Sequence, residues 1–148
     1  MSENNDFIKL YNKVLNKIKE HALSEYNKNK SEVIGFLIGN FKKNYIEIKD
    51  IVIPEQKSTN IHAEILNEIS LIDYLEKNKF KKVQVGWYHS HPNFGCFLSD
   101  IDITTQKNWQ KVNNRMVAIV IDPIQDKIKA FRLDKDGNVE NIPIKIIK

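Results

Sequence analysis

Residues 83–106, VQVGWYHSHPNFGCFLSDIDITTQ, put an apolar strand pattern directly before His89 and His91, with Ser99 and Asp102 close behind. Residues two apart on a strand point to the same side. His89 and His91 are therefore expected on one face with Val83, Val85 and Trp87, their Cα atoms roughly 6.5 Å apart. Two imidazoles so placed can share one ion. Pro92 cannot donate to a ladder and Asn93 and Gly95 favour a turn, so the strand stops there and the chain can loop back to bring Asp102 to the same point. Two histidines and one carboxylate fill three positions of a tetrahedral zinc site and leave the fourth open, which is the catalytic rather than the structural arrangement. Any fold for this chain must set that strand end beside the start of the next helix.

Ser99 has a plain structural reading as well. Ser99-x-x-Asp102 is a capping-box pattern, with Leu98 and Ile103 placed as a hydrophobic staple, so a helix is expected to open there. Capping and chemistry are compatible, because a hydroxyl at a helix N-terminus sits in a field that favours negative charge. Glu32 opens the run EVIGFLIG, residues 32–39, which is apolar on both parities and reads as a strand buried on both faces. A carboxylate at the mouth of such a strand must be paired, neutralised or functional. By itself it reads as an exposed acid or the partner of a lysine.

The remaining pattern predicts a mixed α/β sandwich around one central sheet. A helical stripe covers residues 6–26, with residues 7–10 open to a short edge strand instead. A hairpin partner follows at 45–53, then a polar loop at 54–60. Ile61, Ile65, Ile69, Ile72 and Leu75 fit a second amphipathic helix near 64–78. Strands are expected at 116–121 and 127–133, a turn at 134–138, and a last strand over 139–147 that Pro143 confines to an edge.

The 148 residues suit one domain over 1–148. The apolar runs fall far short of the roughly 20 residues a membrane span needs. MSENNDFIKL carries no signal-peptide pattern, so a soluble, cytoplasmic protein is expected. Cys96 is the single cysteine, which excludes an internal disulfide. The net charge of +4 comes from 23 basic residues, of which only Arg115 and Arg132 are arginine, scattered in ones and twos. Nucleic-acid binding would want clustered Lys and Arg with aromatics, so none is expected, nor a membrane partner.

The residues now carry a resemblance. HSHP at 89–92, Ser99, Asp102 and the upstream Glu32 resemble the JAMM motif of MPN-domain metalloproteases. GWYHSHPNFGCFLSDIDITTQ, VAIVIDPIQ and KAFRL extend the likeness to the catalytic subunits of the proteasome lid and the COP9 signalosome, over residues about 30–134. The resemblance implies an α/β fold of MPN (cytidine deaminase-like) type. It implies one catalytic zinc held by His89, His91 and Asp102, with Glu32 as general base and Ser99 stabilising the oxyanion. The implied reaction is hydrolysis at the C-terminal glycine of ubiquitin or a ubiquitin-like modifier. The implied partners are that modifier's tail and a proteasome-like or other activating protein.

Asn93 stands where those subunits usually have Gly, and Phe97 where they usually have Trp, which bears on channel shape rather than on the metal. Cys96 as a fourth ligand would close the open position. His62 reads as a surface residue, and His21 sits on helix one without an acidic partner in pattern. The short chain between 121 and 127 lacks the insertion of linkage-specific members, and nothing follows residue 148, so a bare catalytic domain is expected. Two other readings stand beside the isopeptidase. One is a non-catalytic MPN scaffold, although no ligand is lost here. The other is a JAMM hydrolase acting on a small sulfur-carrier-type protein or a small substrate.

Overall fold

The computed structural model describes residues 5–59 and 63–148. An eight-stranded mixed sheet forms the centre, with three helices on its faces. In chain order the elements are β1 (Phe7–Tyr11), α1 (Asn12–Asn29), β2 (Ile34–Phe41), β3 (Tyr45–Val52), β4 (Gln56–Ser58), β5 (Ala63–Ile65) and α2 (Ile69–Lys77). Then come β6 (Val83–Ser90), α3 (Asp100–Val112), β7 (Val117–Asp122), β8 (Lys127–Leu133), β9 (Val139–Ile142) and β10 (Ile144–Ile147). The strands lie in the order β10-β1-β3-β2-β6-β7-β8-β9, and β4 pairs with β5 as a separate hairpin.

β2, β6 and β7 are the most buried strands because they lie at the centre of the strand order, and β2 and β7 are apolar on both parities. Ile18 and Ala22 of α1 join Tyr88, Ile119 and Ile121 in the larger core on one face. On the other face Leu71 of α2 packs with Phe36, Ile38 and Val52, and Trp109 of α3 packs against Ile34, Trp87 and Ala118. Gly35 is required where it stands, because a Cβ there would lie 2.2 Å from the Tyr88 ring.

Several expectations are corrected. The stripe at 6–26 divides into β1 and α1, and β1 is no edge strand, since it pairs in parallel with both β3 and β10. The polar loop at 54–60 contains β4. The second helix begins only at Ile69, and Ile65 belongs to β5; Ile61 and His62 lie outside the described residues. Val85 does not share a face with Trp87. The β2–β6 register shifts between Leu37 and Ile38, where Gly86 and Gln84 are the successive partners, so Val85 is the extra residue of a bulge and turns into the α1-side core.

The expected last strand is two strands, β9 and β10, divided at Pro143. These occupy opposite ends of the strand order although one residue separates them. The sheet must therefore curl until its ends meet, with Pro143 at the corner, where its carbonyl accepts the Ile8 N–H at 2.8 Å. Asp6 fastens the seam. Its buried carboxylate accepts from Arg115 at 2.7 and 2.9 Å and from Arg132 of β8 at 3.0 Å.

Candidate metal centre

β6 ends at Ser90, and His89 and His91 project together into the cleft between the sheet and α3. Ring packing orients them. Trp87 stacks on His89 with centroids 4.6 Å apart and planes 14° apart, and Phe97 lies 4.8 Å from His91. Both Nδ1 atoms are buried, so ring packing supplements the polar contacts that the two Nε2 atoms make.

Asp102 arrives on the first turn of α3. Ser99 is the N-cap: its Oγ accepts the Asp102 N–H at 3.2 Å, and its own N–H donates to Asp102 Oδ2 at 2.9 Å. That same Oδ2 lies 2.9 Å from His89 Nε2 and 3.2 Å from His91 Nε2, and the two Nε2 atoms are 3.1 Å apart. The capping box thus aims the ligand oxygen.

Three atoms about 2.0–2.1 Å from a tetrahedral zinc lie about 3.3 Å from one another, so these spacings fit one face of such a tetrahedron. The donor chemistry points the same way. Two imidazole nitrogens and a carboxylate oxygen converge on one point, where one proton satisfies a single pair and a divalent cation satisfies all three. His89, His91 and Asp102 could hold a metal, and Cys96 is not in the cluster.

Burial works against the charge of Asp102, but His89, His91 and the Ser99 N–H hold its carboxyl far below the usual range. Burial likewise depresses His89. For His91 burial is outweighed by Asp102, Glu32 and the Gly95 carbonyl, which raise it. Glu32 is 6 % exposed and lines the same cavity of about 200 Å³ as the cluster, Ser99, Trp87 and Phe97. Burial pushes it up to about 7, His91 opposing and Asp102 adding to the shift.

Four residues that support the site were not singled out in the sequence. Ser90 is fully buried between the two histidines on the opposite side of the strand, and its Oγ accepts the Val33 N–H at 2.9 Å. Its parity was the signal, because a serine facing a core must find a partner. Gln106, one turn beyond Asp102, accepts from Trp87 Nε1 and donates to the Met116 carbonyl, each at 2.8 Å, so it binds α3 to β6 and to the residue that leads into β7. Asp122 accepts from the N–H groups of Asn93, Gly95, Ile124 and Gln125 and holds the loop after His91. Gln56 braces β2 from the hairpin.

Asn93 and Gly95 both have positive φ, 66° and 85°, a conformation Asn tolerates better than most residues, so Asn can stand there in place of Gly. His21 finds a partner the helix pattern did not show, the Tyr88 hydroxyl at 2.6 Å, and burial lowers it to about 4.

The sequence profile of the JAB1/Mov34/MPN/PAD-1 ubiquitin protease family matches residues 3–115. The chain belongs to the JAB/MPN family. It is 39% identical over 119 residues to the 26S proteasome regulatory subunit RPN11 of Candida glabrata. It is 38% identical over 119 residues to the ubiquitin carboxyl-terminal hydrolase RPN11 of Saccharomyces cerevisiae. Each match takes in 74% of this chain and 39% of the relative, so the chain spans about two fifths of their length. The solution structure of protein DSY2949 from Desulfitobacterium hafniense superposes with a TM-score of 0.73 at 19% identity, covering 96% of this chain and 94% of that one. That likeness bears out the α/β fold with its central mixed sheet. Among the described residues no helix is long and apolar enough to cross a membrane.

Proposed function

We propose that this MPN domain is a zinc-dependent isopeptidase that removes ubiquitin or a ubiquitin-like modifier by hydrolysis at the modifier's C-terminal glycine. The observation that carries the reading is the sharing of one cavity by Glu32, Ser99 and the converging atoms of His89, His91 and Asp102. His89, His91 and Asp102 would hold the zinc, which would supply a Lewis acid able to lower the pKa of water to about 7.

The chain's own groups do the rest. Glu32 takes the proton of the attacking water and returns it to the departing amine, and a carboxyl group with pKa near neutrality suits both directions. The Ser99 hydroxyl, which accepts from Asp102, keeps its proton free to donate to the oxyanion. The β4–β5 hairpin flanks the mouth: Ala63 lines the cavity, and Ala63 and Ile65 pack on the cluster of Ile34 and Trp87. An extended tail adding a strand to this hairpin would present its last glycine to the cleft. The Candida glabrata relative is named as a 26S proteasome regulatory subunit, and a proteasome-like or other activating partner belongs to the same proposal.

The test uses wild type, His91→Ala and Glu32→Gln with a modifier joined by an isopeptide bond. Wild type should hold about one zinc per chain and cleave in a chelator-sensitive manner. His91→Ala should lose the metal, while Glu32→Gln should keep it and lose turnover. Equal zinc in wild type and His91→Ala refutes the ligand set. Unimpaired turnover in Glu32→Gln removes Glu32 from the reaction, and equal cleavage of an isopeptide lacking the tail removes tail docking.

A further inference from the structure

Glu32 precedes β2, so no strand ladder of its own fixes its backbone. Its segment is held by three consecutive N–H groups that point alternately to two neighbours. Glu32 N–H donates to the Thr59 carbonyl at 2.9 Å, and Ile34 N–H donates to Gln56 Oε1 at 3.0 Å; both acceptors lie in the hairpin region. Val33 N–H points the other way, to Ser90 Oγ.

The Gln56 amide also donates to the Ile34 carbonyl at 2.9 Å and to the Pro54 carbonyl at 3.0 Å. β3 leaves β2 after the pairing of Phe36 with Val52. Beyond that point the outward N–H and C=O of Ile34 have lost their strand partner. A carboxamide carries the same acceptor and donor as a peptide group, and the Gln56 side chain fills the missing place.

We infer that Gln56 is a positioning residue for Glu32, joining the β4–β5 hairpin and the Glu32 segment into one mechanical unit. The catalytic consequence rests on the hydrolase reading above; the clamp itself does not. A tail that docks on the hairpin thereby also bears on the placement of the group that moves the proton. Recognition and proton transfer are coupled through the Gln56 side chain and the Thr59 carbonyl.

The experiment compares wild type, Gln56→Ala, Gln56→Glu and, as a control, the exposed turn variant Lys135→Ala, using amide hydrogen exchange, zinc content and steady-state kinetics on a tail-linked substrate. In Gln56→Ala the Glu32 and Ile34 amides should exchange about tenfold faster, the size expected for one lost hydrogen bond, while Leu37 and Tyr88 are unchanged. Zinc should stay bound. The kcat should fall by about the same factor with KM within about twofold. Gln56→Glu keeps the acceptor and loses the donor, so it should fall between, and Lys135→Ala should match wild type.

Unchanged exchange at Ile34 in both Gln56 variants overturns the clamp. Faster exchange with unchanged kcat overturns its role in positioning Glu32. If wild type cleaves neither a tail-linked nor a minimal isopeptide, the hydrolase reading and the catalytic consequence fall together, and exchange alone decides the clamp.

Discussion

Replacing Gln106 by Met keeps the length and volume of the side chain but removes its amide. Gln106 is fully buried, so no water reaches the groups it leaves behind. Trp87 Nε1–H loses its acceptor and the Met116 carbonyl loses its donor. Gln110 loses less, since its Oε1 still accepts from the Leu133 N–H. Each orphaned buried group costs about 1–3 kcal/mol, so Gln106→Met should destabilise the fold by about 2–6 kcal/mol. In urea, with m of about 1–3 kcal/mol/M, the midpoint should fall by about 1 M or more at unchanged m. The damage should extend to the metal. Asp102 lies one turn from Gln106 on α3, and a site of this kind tolerates displacement of only about 0.5 Å. Zinc affinity should drop by about 10- to 100-fold, as for loss of a supporting contact. A destabilisation below about 1 kcal/mol together with unaltered zinc affinity would refute the assignment of Gln106 as the tether of α3.

Two further outcomes follow from buried polar groups. Burial opposes the charge of Asp6, but Arg115 and Arg132 hold its carboxyl below the ordinary value, so its contribution to stability is present above the unfolded pKa of about 3.9 and is lost as pH falls through the folded value. Asp6→Asn should therefore cost about 3–5 kcal/mol at neutral pH, with the gap from wild type closing in acid. Thermal melts at pH 7 and below pH 3 check this, and a pH-independent gap would contradict it. Ser99→Ala should cost about 1 kcal/mol as a lost N-cap and lower turnover by about 10²-fold as a lost oxyanion donor. If melting shifts while turnover per folded molecule does not, Ser99 is a cap only.

Much of this architecture was legible because the signal was local. β2, β3, β7 and β8 were located from apolar runs and alternation, and the start of α3 from a capping box whose two bonds both form. The converging cluster was legible for the same reason, since strand parity and one turn bring His89, His91 and Asp102 together. What was misread depended on distant partners or on coincident periods. A spacing of four residues satisfies both a helix and a strand, so Ile65 fitted a helix that starts only at Ile69. β1 looked like an edge because its second neighbour, β10, lies at the far end of the chain. Val85 turns away because of a bulge defined against β2, which Gly86 alone marks in the β6 sequence. Gln56 gave no pattern at all, since its partners are main-chain atoms of another strand.

The closed seam also sets a timetable for the growing chain. β1 is made first, and β3 can take one of its sides soon after, but its other side waits for Ile144–Ile147. At about 5–20 residues per second, the hundred or so residues between β3 and β10 take roughly 5–20 s to emerge from a ribosome. Throughout that interval β1 is a bare edge, the kind of surface that recruits strands from other chains. Lys9, at the centre of β1 and opposite Lys145 in the finished sheet, puts a charge on that edge while it waits.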